Sequence, residues 1–255
     1  MVELPRKIVV AGASHAAVYE VMLKQLVMNT GARVELVSVG GCGLFTMVYP
    51  EAPHCTELRR SVQQHVSQHL SAGDIVFLPA LRVPRLADQF TRFGEASAAS
   101  QVLSAETGGL RAQQEGELAA FLQLAASRGV IVVVEAPPPV FPAPAFRCVD
   151  WFNRGNPICD GGLTVPRQTI EALRMPIVDA LQRLQMTADN LYVWDPLSVL
   201  CPGEICAPIQ DDRIMYFDGD HLSGFGSMSL APSFGAFLVG LPDVPSQKAE
   251  GRRGR

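Results

Sequence analysis

Short runs of consecutive apolar residues alternate along the chain with longer stretches in which apolar residues recur every three or four positions. The short runs predict five β-strands, at Ile8–Ala11, Val34–Val39, Ile75–Leu78, Val130–Val134 and Leu191–Trp194. The longer stretches predict amphipathic helices at His15–Met28, Glu57–Leu70, Leu110–Ser127, Pro166–Leu184 and Gly224–Leu238. Apolar strands that alternate with helices are typical of a parallel sheet covered on both faces, so the expected fold class is α/β.

A proline-rich segment interrupts this alternation after the fourth strand. Prolines at 137–139, 142 and 144 exclude a helix or a central strand, so Ala136–Leu163 is predicted to be a long ordered loop. Loops at the carboxyl ends of parallel strands form the rim of the active site in such folds. Residues of this loop are therefore candidates for an acceptor or sugar site, the alternative being that its aromatic residues only pack the loop: Trp151, Phe152, Asn153 and Arg154.

Length and composition favour one globular domain. The chain has 255 residues, of which 48% are hydrophobic and 18% charged, and its mean hydropathy is +0.17. No internal repeat or linker divides it, so a single domain is predicted over residues 1–242 and a disordered basic tail over 243–255. The Ala-, Ser- and Gln-rich insertion Arg85–Ala105 is interpreted as a flap or an irregular helix.

Charge and hydropathy exclude two classes of partner. The net charge is −4 and no cluster of basic residues interleaves with aromatic ones, which argues against nucleic acid. No run of eighteen apolar residues occurs, so no membrane span is predicted. The first residues lack the apolar stretch of a signal peptide, and export would depend on a segment that this sequence does not include.

The cysteines point to an oxidising compartment. The six cysteines fall into three neighbouring pairs, Cys42 with Cys55, Cys148 with Cys159, and Cys201 with Cys206. Proximity favours these as disulfides among the fifteen possible pairings. Two alternatives stay open at this point: free thiols in a reducing compartment, and a zinc site in which His54 is the only nearby imidazole.

A candidate nucleophile follows the first strand. Ser14 opens the first helix, where backbone N–H groups and the helix dipole favour developing negative charge. The alternative is that Ser14 is an ordinary helix cap, because serine is common at that position. The neighbouring His15 is expected to pack or to contact substrate rather than to act as a base.

A candidate base lies near the other end of the chain. His221 follows a glycine-containing turn and is preceded by Asp218 and Asp220. A histidine takes the proton of a serine nucleophile, and a carboxylate fixes its tautomer and stabilises the imidazolium. Asp218 can reach the ring across a turn, whereas Asp220 is expected to point elsewhere. Taken alone, the Asp-x-x-His pattern also suits a metal-ligand pair or a plain turn.

These blocks together resemble a known family. The sequence GASH at residues 12–15 and the D-x-x-H-L-S block at 218–223 resemble the SGNH hydrolase superfamily. More narrowly, LCPGEIC at 200–206 followed by YFDGDHLSGFG at 216–226 resembles the SGNH domain fused to acyltransferase-3 membrane proteins. The resemblance extends from Lys7 to about Leu241, with the middle third matched by layout rather than by motif.

The resemblance implies a flavodoxin-like three-layer α/β/α fold, held by disulfides and placed in the periplasm or elsewhere outside the cytoplasm. Family members transfer acyl groups, usually acetyl, to surface glycans, and related free-standing domains remove such esters. Ser14 would then carry the acyl group, His221 would be the base and Asp218 would orient it. The N–H groups of Ser14 and Gly41 would bind the oxyanion.

The resemblance leaves three functions in view. The leading one is an O-acyltransferase whose partners are an acyl donor, a glycan acceptor and a membrane acyltransferase domain in the same or a separate chain. The second is a carbohydrate O-acetyl esterase, and the third is a non-catalytic glycan-binding module. No cofactor and no metal ion are predicted for any of them.

Two departures from the family pattern bear on activity. The first block normally reads Gly-Asp-Ser, but its middle residue here is Ala13. The third block normally supplies an asparagine after the third strand, and LPALR at 78–82 has none. Arg82 is expected either to supply positive charge at that position or to be an ordinary surface arginine.

Overall fold

The computed structural model describes Leu4, residues 6–153 and residues 155–242. Arg154 and the predicted tail at 243–255 lie outside the described residues. The strands are β1 (Lys7–Gly12), β2 (Arg33–Ser38), β3 (Ile75–Leu78), β4 (Ile131–Glu135), β5 (Val165–Pro166), β6 (Leu191–Trp194), β7 (Ile205–Cys206), β8 (Ile209–Gln210) and β9 (Arg213–Ile214). The α-helices are α1 (Ser14–Ala17), α2 (Glu20–Thr30), α3 (Thr56–His69), α4 (Glu95–Leu103), α5 (Ala105–Ser127), α6 (Ala145–Cys148), α7 (Arg167–Thr187), α8 (Leu197–Leu200), α9 (Gly224–Ser229) and α10 (Ala231–Val239).

A five-stranded parallel sheet forms the centre of the molecule, in the order β2-β1-β3-β4-β6. Every residue of β3 and β4 is buried, as expected for strands covered on both faces by helices. One cluster of buried hydrophobic residues runs from Leu4 to Leu241. The predicted α/β fold with five parallel strands is confirmed.

Three helical predictions need correction in their bounds. The first predicted helix is divided into α1 and α2 by a turn at residues 18–19, and the last is divided at Leu230, after which Pro232 stands in the first turn of α10. The insertion at 85–105 contains the regular helix α4. Helix α5 begins at Ala105 rather than at Leu110, because Ser104 caps it by accepting a hydrogen bond from the Thr107 N–H.

The first part of the proline-rich segment after β4 is buried. Residues 136–145 are all buried, and the Phe141 N–H donates to the carbonyl of Gly219 at 2.7 Å. A Cβ atom at Gly219 would lie 2.2 Å from the carbonyl oxygen of Ala87, so no larger residue fits there. The loops after β3 and β4 therefore support the turn that carries Asp218 and His221.

All six cysteines form disulfides, in the predicted pairs Cys42–Cys55, Cys148–Cys159 and Cys201–Cys206. The zinc alternative is wrong, because the sulfurs of Cys42 and Cys55 beside His54 are bonded to each other. The first disulfide ties the loop after β2 to the segment that leads into α3.

Removal of this first disulfide is expected to lower the free energy of unfolding. A Cys42→Ala/Cys55→Ala variant should lose about 3 kcal/mol, because the bond closes a loop with a sequence separation of 13. Cys201→Ala/Cys206→Ala is the matched control, since a separation of 5 predicts a smaller loss of about 2 kcal/mol. Equilibrium unfolding in guanidinium chloride measures both, and a larger loss from the shorter loop would contradict the loop-entropy account.

Candidate active site

Ser14 lies where the chain passes from β1 into α1. The N-cap of this helix is Ala13, and Ser14 is its first residue. Its hydroxyl is thus not the helix cap and points instead to a distant loop, with Oγ 2.8 Å from Nε2 of His221. The two residues are 207 positions apart in sequence.

A tight turn presents the His221 ring. Oδ1 of Asp218 accepts the backbone N–H of Asp220 at 3.0 Å and that of His221 at 2.7 Å. The same carboxylate lies 2.9 Å from Nδ1 of the ring through Oδ2. The Phe217 N–H closes the turn by donating to the His221 carbonyl at 2.8 Å. One aspartate therefore orients both the backbone and the ring of the histidine.

The surroundings of Asp218 and His221 favour the charged form of each residue. Burial opposes ionisation of Asp218, but the hydrogen bonds from the His221 ring and from two backbone N–H groups outweigh it and lower the pKa to about 2. Burial lowers the pKa of His221, and the contacts with Asp218 and Asp220 more than offset this, so the net change is upward. The carboxylate is charged at neutral pH and stabilises an imidazolium.

A small cavity of about 150 Å³ opens beside the Ser14 hydroxyl. Gly41 lines it in the left-handed region with φ +76°, which glycine adopts without strain. Among the described residues, the N–H groups of Ser14 and Gly41 donate to no protein acceptor. Both residues line the cavity, so these N–H groups stay the predicted donors to an oxygen bound there.

A second histidine and aspartate stand behind the first pair. His15 is buried, and its ring stacks on that of His221 with centroids 4.4 Å apart. Oδ2 of the buried Asp220 lies 3.0 Å from Nε2 of His15 and 2.9 Å from Nε of Arg85. Arg85 also lines the cavity. Sequence reasoning missed this group, although His15 adjoins Ser14 and Asp220 adjoins His221.

Arg82 does not line the cavity at Ser14, and the alternative of a surface arginine is wrong. The side chain is fully buried, and its guanidinium donates to the carbonyls of Leu44, Phe45, Leu78 and Glu135. It joins the carboxyl ends of β3 and β4 to the loop after β2. All of these contacts are between Arg82 and the backbone, so its role in this structure is to hold the strand ends together.

The predicted acceptor residues stand apart from the cavity. Trp151 is 79% exposed and contacts Phe152 edge to face, with centroids 5.9 Å apart. Phe152 is exposed as well, so the alternative of simple loop packing does not describe either ring. Asn153 ends the same short 3₁₀ turn and is partly exposed. None of the three lines the cavity at Ser14.

The ligand atoms of His15, Asp220 and His221 lie within 4.8 Å of one another, a spacing that a metal ion could bridge. His221 already uses both ring nitrogens, however, one for Ser14 and the other for Asp218. The geometry thus suits proton transfer from the serine hydroxyl to a histidine held by a carboxylate.

Among the described residues, no helix has the length and apolar character needed to cross a membrane.

Comparison with solved structures shows which fold this is. The periplasmic domain of a lipopolysaccharide acetyltransferase from Salmonella ser. Paratyphi A aligns with a TM-score of 0.61 and 13% sequence identity, over 93% of this chain and 85% of that one. An acetyl xylan esterase aligns with a TM-score of 0.45 and 13% identity, over 92% of this chain and 100% of that one. A putative acylhydrolase from Bacteroides fragilis NCTC 9343 also aligns with a TM-score of 0.45 and 13% identity, over 91% and 88%.

Sequence comparison identifies the family. No curated protein sequence matches the chain. The family described as the SGNH domain fused to AT3 domains matches residues 3–236, which is nearly the whole chain. With the parallel sheet and the serine that follows its first strand already described, we conclude that the chain belongs to this family of SGNH domains.

Proposed function

We propose that the chain is a serine-dependent O-acyltransferase that moves an acyl group, in the first instance acetyl, to a hydroxyl of a cell-surface polysaccharide or glycan. The observation that carries the proposal is the continuous contact from Ser14 Oγ through the His221 ring to the Asp218 carboxylate. A nucleophile, a base and an orienting acid in hydrogen-bond contact are what covalent acyl transfer requires.

In the first half-reaction Ser14 Oγ attacks the acyl carbonyl while Nε2 of His221 takes the hydroxyl proton. Asp218 stabilises the imidazolium that forms, and the N–H groups of Ser14 and Gly41 bind the negative oxygen of the tetrahedral intermediate. Collapse breaks the bond to the donor alcohol or thiol, which leaves with the proton from His221. The product is an ester on Ser14.

The second half-reaction repeats these steps with a sugar hydroxyl. The hydroxyl gives its proton to His221 and attacks the Ser14 ester, and the proton returns to Ser14 Oγ as the acylated glycan leaves. Water in place of the sugar would release a free acid, which is the esterase alternative. The residues that act on the acyl group are the same in both cases.

A group of stacked side chains, here called the stacked surface, lies beside the turn that carries Asp218 and His221 (the catalytic turn) and supports a carbohydrate acceptor. Phe217 adjoins Asp218 and stacks on Phe146, with centroids 4.3 Å apart and planes 8° from parallel. The guanidinium of Arg147 lies 4.7 Å from the ring centroid of Phe90 and 5.3 Å from that of Phe146. Phe90 is 70% exposed and Phe217 is 41% exposed. Aromatic faces pack against the C–H face of a sugar, and the arginine edge donates to its hydroxyl or carboxylate oxygens.

This surface draws on two of the loops that follow the strands of the sheet, together with the catalytic turn. We include the exposed Trp151 and the neighbouring Asn153 in the proposed acceptor region, because they belong to the same loop as Phe146 and Arg147. The acyl donor would enter the cavity at Ser14 and Gly41.

We also propose that the domain acts in the periplasm or elsewhere outside the cytoplasm, beside a membrane acyltransferase domain in the same or a separate chain. Three disulfides support an oxidising compartment. The family is described by its fusion to AT3 domains, which supports the membrane partner as the source of acyl groups.

An ester-transfer assay tests the proposed function. With 4-nitrophenyl acetate as donor and an oligosaccharide as acceptor, acetylated sugar should increase with acceptor concentration while free acetate decreases. Release of acetate with no transfer product at any acceptor concentration would decide for the esterase. A folded protein that neither transfers nor hydrolyses would decide for the non-catalytic module.

Removal of the stacked surface should affect the acceptor step alone. A Phe90→Ala/Arg147→Ala variant is expected to lose about tenfold in transfer, the loss of about 1.4 kcal/mol of acceptor binding, and to keep hydrolysis of 4-nitrophenyl acetate within about twofold. Phe93→Ala is the matched control, since Phe93 is exposed on the same loop and belongs to no described ring contact of this surface. Equal loss of both reactions in the double variant would contradict an acceptor role.

A further inference from the structure

We propose, on the basis that His221 is the base of the proposed reaction, that Asp220 is a second carboxylate for its ring and that His15 and Arg85 hold Asp220 in place. All three would be positioning residues, because they act on the reaction through His221. Neither the Asp218–His221 pair nor the Ser14 contact requires them, so their arrangement needs a separate explanation.

The two oxygens of Asp220 face different partners. Oδ2 lies between Arg85 Nε at 2.9 Å and His15 Nε2 at 3.0 Å. The His15 contact raises the pKa of His15 and lowers that of Asp220, as a hydrogen bond from the ring to the carboxylate does. Oδ1 is buried, makes no hydrogen bond with any residue that the structure describes, and lies 3.7 Å from Nδ1 of His221. A buried carboxylate oxygen without a hydrogen bond from the protein interacts strongly with a positive charge that forms beside it.

His15 presents a ring face to His221. The centroids are 4.4 Å apart and the planes are inclined by 27°. Burial lowers the pKa of His15 more than Asp220 raises it, so His15 stays neutral when the neighbouring ring takes a proton. A neutral stacked ring limits rotation of His221 without placing a second positive charge next to the imidazolium.

Arg85 balances the second carboxylate. It is the cation that pairs with Asp220, and its charge acts on His221 in the opposite direction from that of Asp220. The groups that face the His221 ring are thus Asp218, Asp220, Arg85, His15 and the Ser14 hydroxyl. Tyr49 and Tyr216 also lie near Asp220, but both phenols have raised pKa values and remain neutral in the working range.

This arrangement predicts that Asp220→Asn and Arg85→Gln move the titration of His221 in opposite directions. In Asp220→Asn the His221 ring loses a negative neighbour, so the acid limb of the pH profile of kcat/KM should move to lower pH by about one unit. In Arg85→Gln the charge of Asp220 is no longer offset, so the same limb should move to higher pH. A residue that only packs the site would lower the rate at every pH and leave the limb in place.

Two variants at His15 separate its polar contact from its ring. His15→Phe keeps a flat stacked ring and removes the contact with Asp220, so kcat for a small acetyl ester should fall about tenfold. His15→Gln keeps an N–H donor at a similar distance along the side chain and should retain activity within about threefold. A greater loss in His15→Gln than in His15→Phe would assign His15 to ring packing alone and overturn its role in holding Asp220.

The decisive experiment measures the His221 titration directly. The imidazole C–H signals of the full chain are followed by NMR against pH in the wild type, Asp220→Asn and Arg85→Gln, beside the pH profile for 4-nitrophenyl acetate. Midpoints that move in opposite directions support the proposal. Midpoints that stay together, or move in the same direction, overturn it. If Asp220→Asn does not fold by circular dichroism, the upward shift in Arg85→Gln decides.

Failure of the proposed function gives a different result. A wild type that turns over no ester leaves the NMR midpoints free to move in opposite directions, so the coupling of Asp220 to His221 is tested without activity. Ester turnover that is lost on chelation and restored by Zn²⁺ would mark His15, Asp220 and His221 as metal ligands and would overturn the proposal.

Discussion

Replacement of Ser14 by alanine is expected to abolish turnover of acetyl esters and covalent labelling by a fluorophosphonate. The only oxygen within hydrogen-bond distance of His221 Nε2 in the described structure is Ser14 Oγ, at 2.8 Å, and alanine removes it. Loss of the nucleophile of a catalytic triad lowers kcat by about six orders of magnitude, as in the subtilisin series. Initial rates with 4-nitrophenyl acetate and mass spectrometry of the labelled protein measure the two effects.

The matched control is Ser61→Ala. Ser61 is exposed on α3 and its hydroxyl takes part in no described hydrogen bond, so both labelling and turnover should equal those of the wild type. Labelling of Ser14→Ala at the wild-type rate would place the nucleophile elsewhere. A folded wild type that resists the fluorophosphonate would favour the non-catalytic module.

Replacement of Asp218 by asparagine should have the next largest effect. The carboxylate holds the ring of His221 at 2.9 Å and accepts two backbone N–H groups of its turn. An amide can hold the ring in the wrong tautomer and carries no charge to stabilise the imidazolium. The corresponding Asp→Asn change in trypsin lowers kcat by about 10⁴, and we expect a loss of about 10³ to 10⁴ in kcat/KM at neutral pH.

The pH dependence gives this variant a second measurement. Asp218 is one of the groups that raise the pKa of His221, and in the wild type activity is lost as the pH falls through that pKa, because the base becomes protonated. In Asp218→Asn the acid limb should move to lower pH. Asp212→Asn is the control, since Asp212 is exposed with φ +57°, a conformation that asparagine also tolerates. A wild-type rate in Asp218→Asn would show that the reaction does not depend on the Asp218 carboxylate.

Much of the fold could be read from local pattern. Each predicted strand overlaps a strand of the central sheet, because a buried parallel strand is a run of apolar residues that the chain carries wherever it folds. The disulfide pairs could be predicted for a related reason, because cysteines separated by only 5 to 13 positions stay close in space wherever the chain folds. The resemblance to the family supplied the link between Ser14 and the block at Asp218–His221, which local pattern does not contain.

The features that are hardest to predict from the sequence depend on contacts between distant parts of the chain. Arg82 follows a strand, and nothing in its neighbours in sequence shows that its guanidinium binds carbonyls of two other segments, the loop after β2 and the end of β4. Trp151 and Phe152 were expected to line a site or pack a loop, and they stand in solvent because their own loop places them outward. Burial of a polar or aromatic side chain is decided by what packs against it.

The sequence alone predicted the order of strands and helices, favoured the disulfide pairs and supplied the serine, histidine and aspartate of the site, because these are encoded within short segments. Only the tertiary structure decided what stands behind the Asp218–His221 pair, because those contacts join residues from distant parts of the chain. Asp218 and Asp220 are two positions apart on the same turn, yet one binds the His221 ring and the other lies between His15 and Arg85. This difference between the two aspartates arises where the carboxyl ends of β1 and β3 meet the loop that carries Asp218 and His221. It exists only once the parallel sheet has brought these segments together.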